Sequence, residues 1–216
     1  MLLTLAGLNA QNFPFRLPEG AGTFRLGVVA GDESCWLDEC KVQMKGKSVY
    51  ILQGKLLGEG KMRLAIYPLT DSDGFIMEVS GSRLPQDLAL CWTYGGCNKT
   101  LALSGQTAAI LPEACRDNVF SDEVNAFTVY YGESMALRVT QGIAPVGSEM
   151  RLADAHRQTT PLDLYHSGKK TDAPVIAALY PWQNKENCYF CIYKQNAKAD
   201  YNYFMLADLF ERESRK

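Results

Sequence analysis

Apolar and polar residues alternate with a period of two along most of this chain, as they do in β-strands that bury one face. In "TFRLGVVA" the side chains of Phe24, Leu26 and Val28 fall on one side of an extended backbone. The same alternation recurs in "KMRLAIYP", "GFIMEVS", "DLALCWTY", "VNAFTVYY", "SMALRVTQ", "PVIAALYP" and "CYFCIYK". The pattern therefore predicts a succession of β-strands, each with one buried face.

Turn-forming residues separate these strands. "LLGEGK" and "TDSDGF" place Gly and Asp where positive φ angles are favoured, and "YYGESM" predicts a tight hairpin at Gly132 and Glu133. The strands recur about every 8–14 residues, with no long helical run between them. This spacing predicts an all-β fold, a large antiparallel β-sandwich.

Two segments depart from the strand pattern. Residues 149–172 form a polar excursion that carries both histidines and predicts one helical turn near "PLDLYHSG". The last segment, "YFMLADLFERESRK", has a helical period. Its apolar side is formed by Phe204, Met205, Leu206, Leu209 and Phe210. We therefore expect a sandwich over residues 1–198 and a helical linker over residues 199–216, directed toward a further C-terminal domain.

Composition and charge exclude some classes of function. The 216 residues include 22 basic and 24 acidic side chains, a formal net charge of -2. This balance provides no strong electrostatic attraction to nucleic acid. No apolar run approaches the roughly 20 residues that span a bilayer. The sequence also lacks a phosphate-binding loop and a dinucleotide motif, so we expect no cofactor.

The N-terminal "MLLTLAGLNAQ" allows two interpretations. A short apolar run followed by Ala10 and Gln11 resembles the end of a secretory signal. The segment lacks the basic region of such signals and equally fits a first strand, truncated upstream.

Seven cysteines leave at least one thiol unpaired within the chain. Cys188 and Cys191 have C-x-x-C spacing, but residues three apart on a strand point to opposite faces and cannot share a metal ion. We therefore expect structural cysteines and no metal site.

Two other cysteine pairs remain open from sequence. Cys35 and Cys40 in "CWLDEC" would also point to opposite faces on an extended chain, whereas a turn at Asp38 would bring them together. Cys91 and Cys97 flank two glycines, and a turn there could close them into a disulfide.

Catalytic candidates are few. His156 and His166 are the only histidines, and a small hydrolase using either of them with an acid is one hypothesis. The nucleophile-elbow pattern G-x-S-x-G is absent. Carboxylates for glycoside hydrolysis exist only as acids in apparent turns. These acids are Asp71, Asp73, Asp117, Asp122 and Glu123.

Aromatic side chains provide a second hypothesis, a free-standing carbohydrate-binding module. Trp182, in "YPWQNKEN", with Trp92 and Tyr94 could form a platform on which sugar rings stack. The competing interpretation makes "LALCWTYGGC" a core strand that ends in a Gly-Gly turn. It places Trp92 inward and Tyr94 at the rim.

The order of several segments resembles a family known as domain of unknown function 4450. These segments are "FRLPEGAGTFRLGV", then "WLDECKVQMKGKSVYILQGKLLGEGKMRLAIYPLTDSDGFIMEV", "LALCWTYGGC", "LPEACRDNVF" and "NAFTVYYG". The similarity is good over residues 5–140 and looser beyond. The family has further strands upstream, so the resemblance favours a truncated first strand at the N-terminus.

The resemblance implies a β-supersandwich that precedes an (α/α) helical barrel in large secreted proteins of gut anaerobes, concerned with polysaccharide utilisation. The first hypothesis is therefore a non-catalytic accessory domain of a glycoside-hydrolase-like protein, periplasmic or extracellular. Its partners would be the C-terminal helical barrel and, through the substrate cleft, a glycan. The family provides no catalytic residue to carry over.

Overall fold

The computed structural model describes residues 15–16, 22–98, 109–132, 134–168, 170–182 and 187–216. The described residues form fourteen β-strands and two α-helices. The strands are β1 (Phe15–Arg16), β2 (Thr23–Ala30), β3 (Glu33–Trp36), β4 (Lys41–Lys45), β5 (Val49–Gln53), β6 (Lys61–Pro68), β7 (Gly74–Ser82), β8 (Leu88–Gly95), β9 (Val119–Glu123), β10 (Ala126–Tyr131), β11 (Arg138–Ile143), β12 (Glu149–Asp154), β13 (Pro174–Pro181) and β14 (Cys188–Lys194). The helices are α1 (Pro161–Tyr165) and α2 (Leu206–Ser214).

Within these residues the strands form two antiparallel sheets. One has six strands, in the order β1-β2-β8-β13-β12, with β3 also paired to β2. The other has eight strands, in the order β4-β5-β6-β7-β14-β11-β10-β9. The connection between β3 and β4 passes from one sheet to the other. The predicted all-β antiparallel sandwich is confirmed.

The core between the sheets follows the period-two pattern. On β8, Leu90, Trp92 and Tyr94 enter this core, whereas Cys91 belongs to a second cluster on the opposite face. On β14, Phe190 enters the core and Cys191 faces the other way. Trp92 stacks on Phe24 and on Phe127, with ring centroids 6.2 and 5.6 Å apart. An aromatic cluster therefore joins strands of both sheets.

The two helices cover the outer faces of the sheets. Helix α1 packs on the six-stranded sheet and provides the single turn predicted near "PLDLYHSG". Thr160 caps it by accepting a hydrogen bond from the backbone N–H of Asp163, and Pro161 occupies its first position. Helix α2 packs on β6, β7 and β14 of the eight-stranded sheet. No helix in the described ranges is long and apolar enough to cross a membrane.

The predicted tight hairpin at Gly132 is wrong in detail. Strand β10 ends at Tyr131, a 3₁₀ turn follows at Ser134–Ala136, and β11 begins only at Arg138. Tyr131 and Arg138 are the last paired residues of the two strands. The alternating residues before Arg138 therefore lie beyond the end of the sheet and have no core to face.

The predicted apolar stripe of the C-terminal helix is correct in part. Leu206, Leu209 and Phe210 are buried, but Phe204 is 88% exposed and Met205 is 45% exposed. The α-helix begins only at Leu206, after a 3₁₀ turn at Tyr203–Met205. In that turn Tyr203 packs against the same apolar cluster as the stripe, whereas Phe204 and Met205 are exposed.

We expect Trp92→Ala to lower the free energy of unfolding by about 3–5 kcal/mol, because it removes a fully buried indole from the core. Phe204→Ala is the matched control, and its exposed ring should contribute less than about 0.5 kcal/mol. Urea unfolding followed by circular dichroism measures both. Equal small losses would contradict the position of Trp92 in the core.

Candidate functional site

The aromatic residues proposed as a sugar platform are all buried. Trp92 and Tyr94 are 0% exposed and Trp182 is 5% exposed. The backbone N–H of Trp182 also donates to the carbonyl of Leu88, 2.9 Å away. Tyr94 lies in the core, not at the rim as predicted, because β8 continues to Gly95 and pairs on both sides. These rings present no free face for a sugar.

The structure pairs one of the two histidines with an acid. His156 Nε2 lies 3.1 Å from Asp172 Oδ1, with the two side chains 51% and 69% exposed. The hydrogen bond from His156 lowers the pKa of Asp172. His166 instead packs edge-on against the ring of Tyr165, with centroids 5.1 Å apart. The His156–Asp172 pair is thus a solvent-exposed hydrogen-bonded pair, of the kind that contributes little to stability.

The acids proposed as catalytic carboxylates have structural roles or lie at the surface. Asp71 and Asp73 occupy the β6–β7 turn, where Asp73 pairs with Lys194 at 3.5 Å. Asp122 and Glu123 are exposed on the edge strand β9. Within the part of the chain that the structure describes, no group of three or more His, Cys, Asp or Glu is placed to hold a metal ion.

A network of hydrogen bonds and ion pairs anchors α2 to the β6–β7 turn. Glu213 is 4% exposed and accepts hydrogen bonds from Thr70 Oγ1 at 3.0 Å and Arg212 Nε at 2.8 Å. Lys216 Nζ lies 3.3 Å from the same carboxylate and 2.9 Å from Thr70 Oγ1. A buried carboxylate is stable only when charges and donors surround it, as they do here.

Asp71 extends this network. Arg212 Nη2 lies 2.9 Å from Asp71 Oδ2, and the Tyr201 hydroxyl donates to Asp71 Oδ1. Burial opposes ionisation of Asp71, but the hydrogen bonds from Tyr201 and Arg212 outweigh it and lower its pKa. Burial and the Asp71 carboxylate both raise the pKa of Tyr201. The helix end and the turn are therefore joined by charge-assisted bonds.

Apolar and aromatic contacts complete the attachment of α2. The ring of Phe210 lies 5.4 Å from that of Tyr67 and 5.8 Å from that of Tyr189. Tyr189 donates to Glu78, which also pairs with Arg63 at 2.5 Å. Helix α2 is thus an integral outer layer of the sandwich.

Against this background, the two residues before α2 stand out. Phe204 and Met205, here named the Phe204–Met205 patch, expose apolar side chains directly beside a helix whose own apolar side is buried. Exposed apolar residues that adjoin one another mark contact surfaces more often than isolated ones do. The sequence predicted helical amphipathicity here, but the 3₁₀ turn that exposes the two side chains carries no clear sequence signal.

A second exposed apolar area lies where the eight-stranded sheet ends with strands β11, β10 and β9, here named the β9–β11 edge. Val119 and Tyr130 are opposite each other on β9 and β10. They are 61% and 38% exposed, and Met135 is 97% exposed. Beside them a groove of about 450 Å³ is lined by Leu137, Arg138, Val139, Lys194 and Gln195. An exposed residue of this edge can therefore serve as the control for a substitution in the Phe204–Met205 patch.

Comparison with known proteins identifies the family. A model described as "Domain of unknown function (DUF4450)" matches residues 17–214. The chain belongs to this family. No curated protein matches it. Among solved structures, an inverting mannosidase of family GH92 from Bacteroides thetaiotaomicron is similar at 12% identity, with a TM-score of 0.43. The alignment covers 88% of the DUF4450 chain and 26% of the mannosidase chain.

We expect Glu213→Gln to destabilise the attachment of α2 in this DUF4450 domain by about 2 kcal/mol, because it removes the charge on which Arg212 and Lys216 converge. Hydrogen exchange over residues 206–214 should become faster. The control is Glu211→Gln, whose partner Arg215 is 76% exposed, and it should cost less than about 0.5 kcal/mol. Similar exchange rates in the two variants would contradict the anchor.

The lowered pKa of Asp71 predicts an acid-sensitive contribution to stability. A carboxyl whose pKa is depressed on folding stabilises the protein above its unfolded pKa, and the contribution is lost as the pH falls through the folded pKa. Wild type should therefore exceed Asp71→Asn in melting temperature well above pH 3.8, the ordinary value for Asp. The two melting temperatures should converge at lower pH. A constant difference across this range would contradict the prediction.

Proposed function

We propose that this DUF4450 domain is a non-catalytic accessory β-sandwich of a glycan-degrading protein. It packs against a helical domain of the same polypeptide and shapes a carbohydrate cleft there. The protein works in the periplasm or outside the cell, as the family resemblance implies. The Phe204–Met205 patch is the contact surface in this proposal.

The exposure of Phe204 is the observation that carries the proposal. A phenyl ring 88% exposed leaves most of its apolar area in water. Covering such a ring stabilises a complex by about 1.5–3 kcal/mol. Its position directly before α2, which is anchored to the sandwich, suits a surface that must hold a neighbouring domain in a defined orientation.

The distribution of the other candidate residues agrees with a supporting role. The three aromatic residues of the carbohydrate-binding hypothesis are buried in the sandwich. Asp71 and Asp73 hold α2 and β14, and the His156–Asp172 pair lies open to solvent. Of these residues, the three aromatic rings and the two aspartates therefore contribute to the structure of the sandwich itself.

The test uses the complete polypeptide from its native source, with Phe204→Asp as the variant. A charge at this position should separate the unfolding transitions of the sandwich and the helical domain, and lower glycan hydrolysis at least about threefold, because the interface loses roughly 2 kcal/mol. Differential scanning calorimetry and a hydrolysis assay measure the two effects.

Met135→Asp is the control, since Met135 is 97% exposed at the β9–β11 edge. It should leave both measurements unchanged. Equal effects of the two variants would contradict the assignment of the patch. A native polypeptide of only 24.0 kDa would contradict the whole proposal, because no helical domain would then be attached.

A further inference from the structure

Two of the seven cysteines flank the turn between β3 and β4. Cys35 lies on β3 in the six-stranded sheet, and Cys40 directly precedes β4 in the eight-stranded sheet. On an extended chain the two side chains would point apart. A 3₁₀ turn at Leu37–Glu39 lies between them, and the side chains of Cys35 and Cys40 both pack against the core cluster between the sheets.

The turn is held in place on three sides. Leu37 is fully buried, and its carbonyl accepts the backbone N–H of Cys40 at 3.1 Å. Asp38 accepts two hydrogen bonds from Arg25 Nη2, at 3.0 and 3.3 Å, with both side chains less than a tenth exposed. Arg25 in turn lies over the ring of Trp36, 4.0 Å from its centroid. The turn between the two cysteines is therefore anchored in the core.

Gly54, which directly follows β5, leaves room for the thiol of Cys40. A Cβ placed on Gly54 would lie only 2.7 Å from Cys40 Sγ. Any larger residue at this position would force the thiol to move. The chain thus provides space for Cys40 Sγ at the end of the turn.

Accessibility distinguishes this pair from the other cysteines. Cys35 and Cys40 are partly exposed, whereas the remaining cysteines, Cys91, Cys97, Cys115, Cys188 and Cys191, are buried. Burial raises the pKa of Cys91, Cys97 and Cys115 to about 12. A thiol that is neutral and inaccessible reacts slowly with disulfides.

We propose that Cys35 and Cys40 form a redox-active dithiol that closes to a disulfide, and that this disulfide covalently fastens the crossover between the two sheets. The oxidant is a small disulfide such as oxidised glutathione. Cys35 thiolate attacks one of its sulfurs and releases one glutathione thiolate. Cys40 then loses its proton to water, attacks Cys35 Sγ and releases the second. Two protein thiols are oxidised and one glutathione disulfide is reduced.

The order of attack follows from the opposite directions in which the pKa values of the two thiols are shifted. Donation from Cys40 stabilises the thiolate of Cys35 and lowers its pKa, whereas the pKa of Cys40 is raised by the same contact and by burial. Asp38 and Glu39 oppose ionisation of both thiols, but the Asp38 carboxylate is already engaged by Arg25. Cys35 is therefore the attacking thiol and Cys40 the resolving one.

The test incubates the folded 216-residue chain with oxidised glutathione, blocks free thiols with N-ethylmaleimide and maps the peptides by mass spectrometry. We expect the loss of two hydrogens on the segment that joins Cys35 and Cys40, with the five buried thiols labelled only after denaturation. A persistent glutathione adduct on Cys35 in the wild type, or a disulfide between other cysteines, would overturn the proposal. So would full labelling of both thiols.

Single variants test the roles. Cys40→Ser should retain a glutathione adduct on Cys35, because no resolving thiol is present. Cys35→Ser should acquire its adduct at least about tenfold more slowly. Cys40 is then the only partly exposed thiol, and burial raises its pKa, so that less of it is present as the attacking thiolate. Equal rates in the two variants would overturn the assignment of Cys35 as the attacking thiol. Circular dichroism of each variant checks that the fold is intact.

Discussion

The central strands of both sheets are apolar on both faces, and the rest of the architecture depends on this constraint. On β8 the alternate residues Trp92 and Cys91 are both fully buried, and on β14 the same holds for Phe190 and Cys191. A strand of this kind cannot lie in a sheet with one face in water. Two sheets packed together cover only the inner faces, so helices α1 and α2 are needed to cover the outer ones. Each outer face therefore carries one helix over part of its strands.

This constraint explains why a polar network lies so close to the core. Helix α2 has nine residues, too short to be stable alone, and its apolar side is narrow. Its attachment therefore combines the contacts of Phe210 with the buried carboxylate of Glu213 and the Asp71–Arg212 pair. On the other side of the molecule, Arg25 and Asp38 do the same for the turn that leads into β4. Buried charges here fix the position of outer elements on an apolar surface.

Strand positions could be predicted from sequence because alternation is a local property of the backbone. The inner faces of β2, β6 and β8 follow directly from it, but alternation predicted one buried face for each strand, whereas both faces of β2 and β8 are buried. The burial of Trp182 and Tyr94 could not be predicted in this way, because it depends on which strands and loops lie above each ring. Proximity of Cys35 and Cys40 was left open by the sequence for a related reason. Spacing alone permits a turn, and the hydrogen bond from the backbone N–H of Cys40 to the carbonyl of Leu37 shows that the turn forms.

Burial also assigns different chemistry to residues of the same type. The C-x-x-C pair at Cys188 and Cys191 has a spacing common in redox and metal sites, yet its two thiols lie in separate apolar clusters on opposite faces of β14. The longer spacing of Cys35 and Cys40 places two partly exposed thiols on either side of a turn and not along one strand. Local backbone conformation, more than the number of intervening residues, therefore decides which cysteines can react with one another. The same reasoning applies to Phe204. The sequence groups it with the buried stripe of α2, but it lies in a 3₁₀ turn that leaves its side chain at the surface.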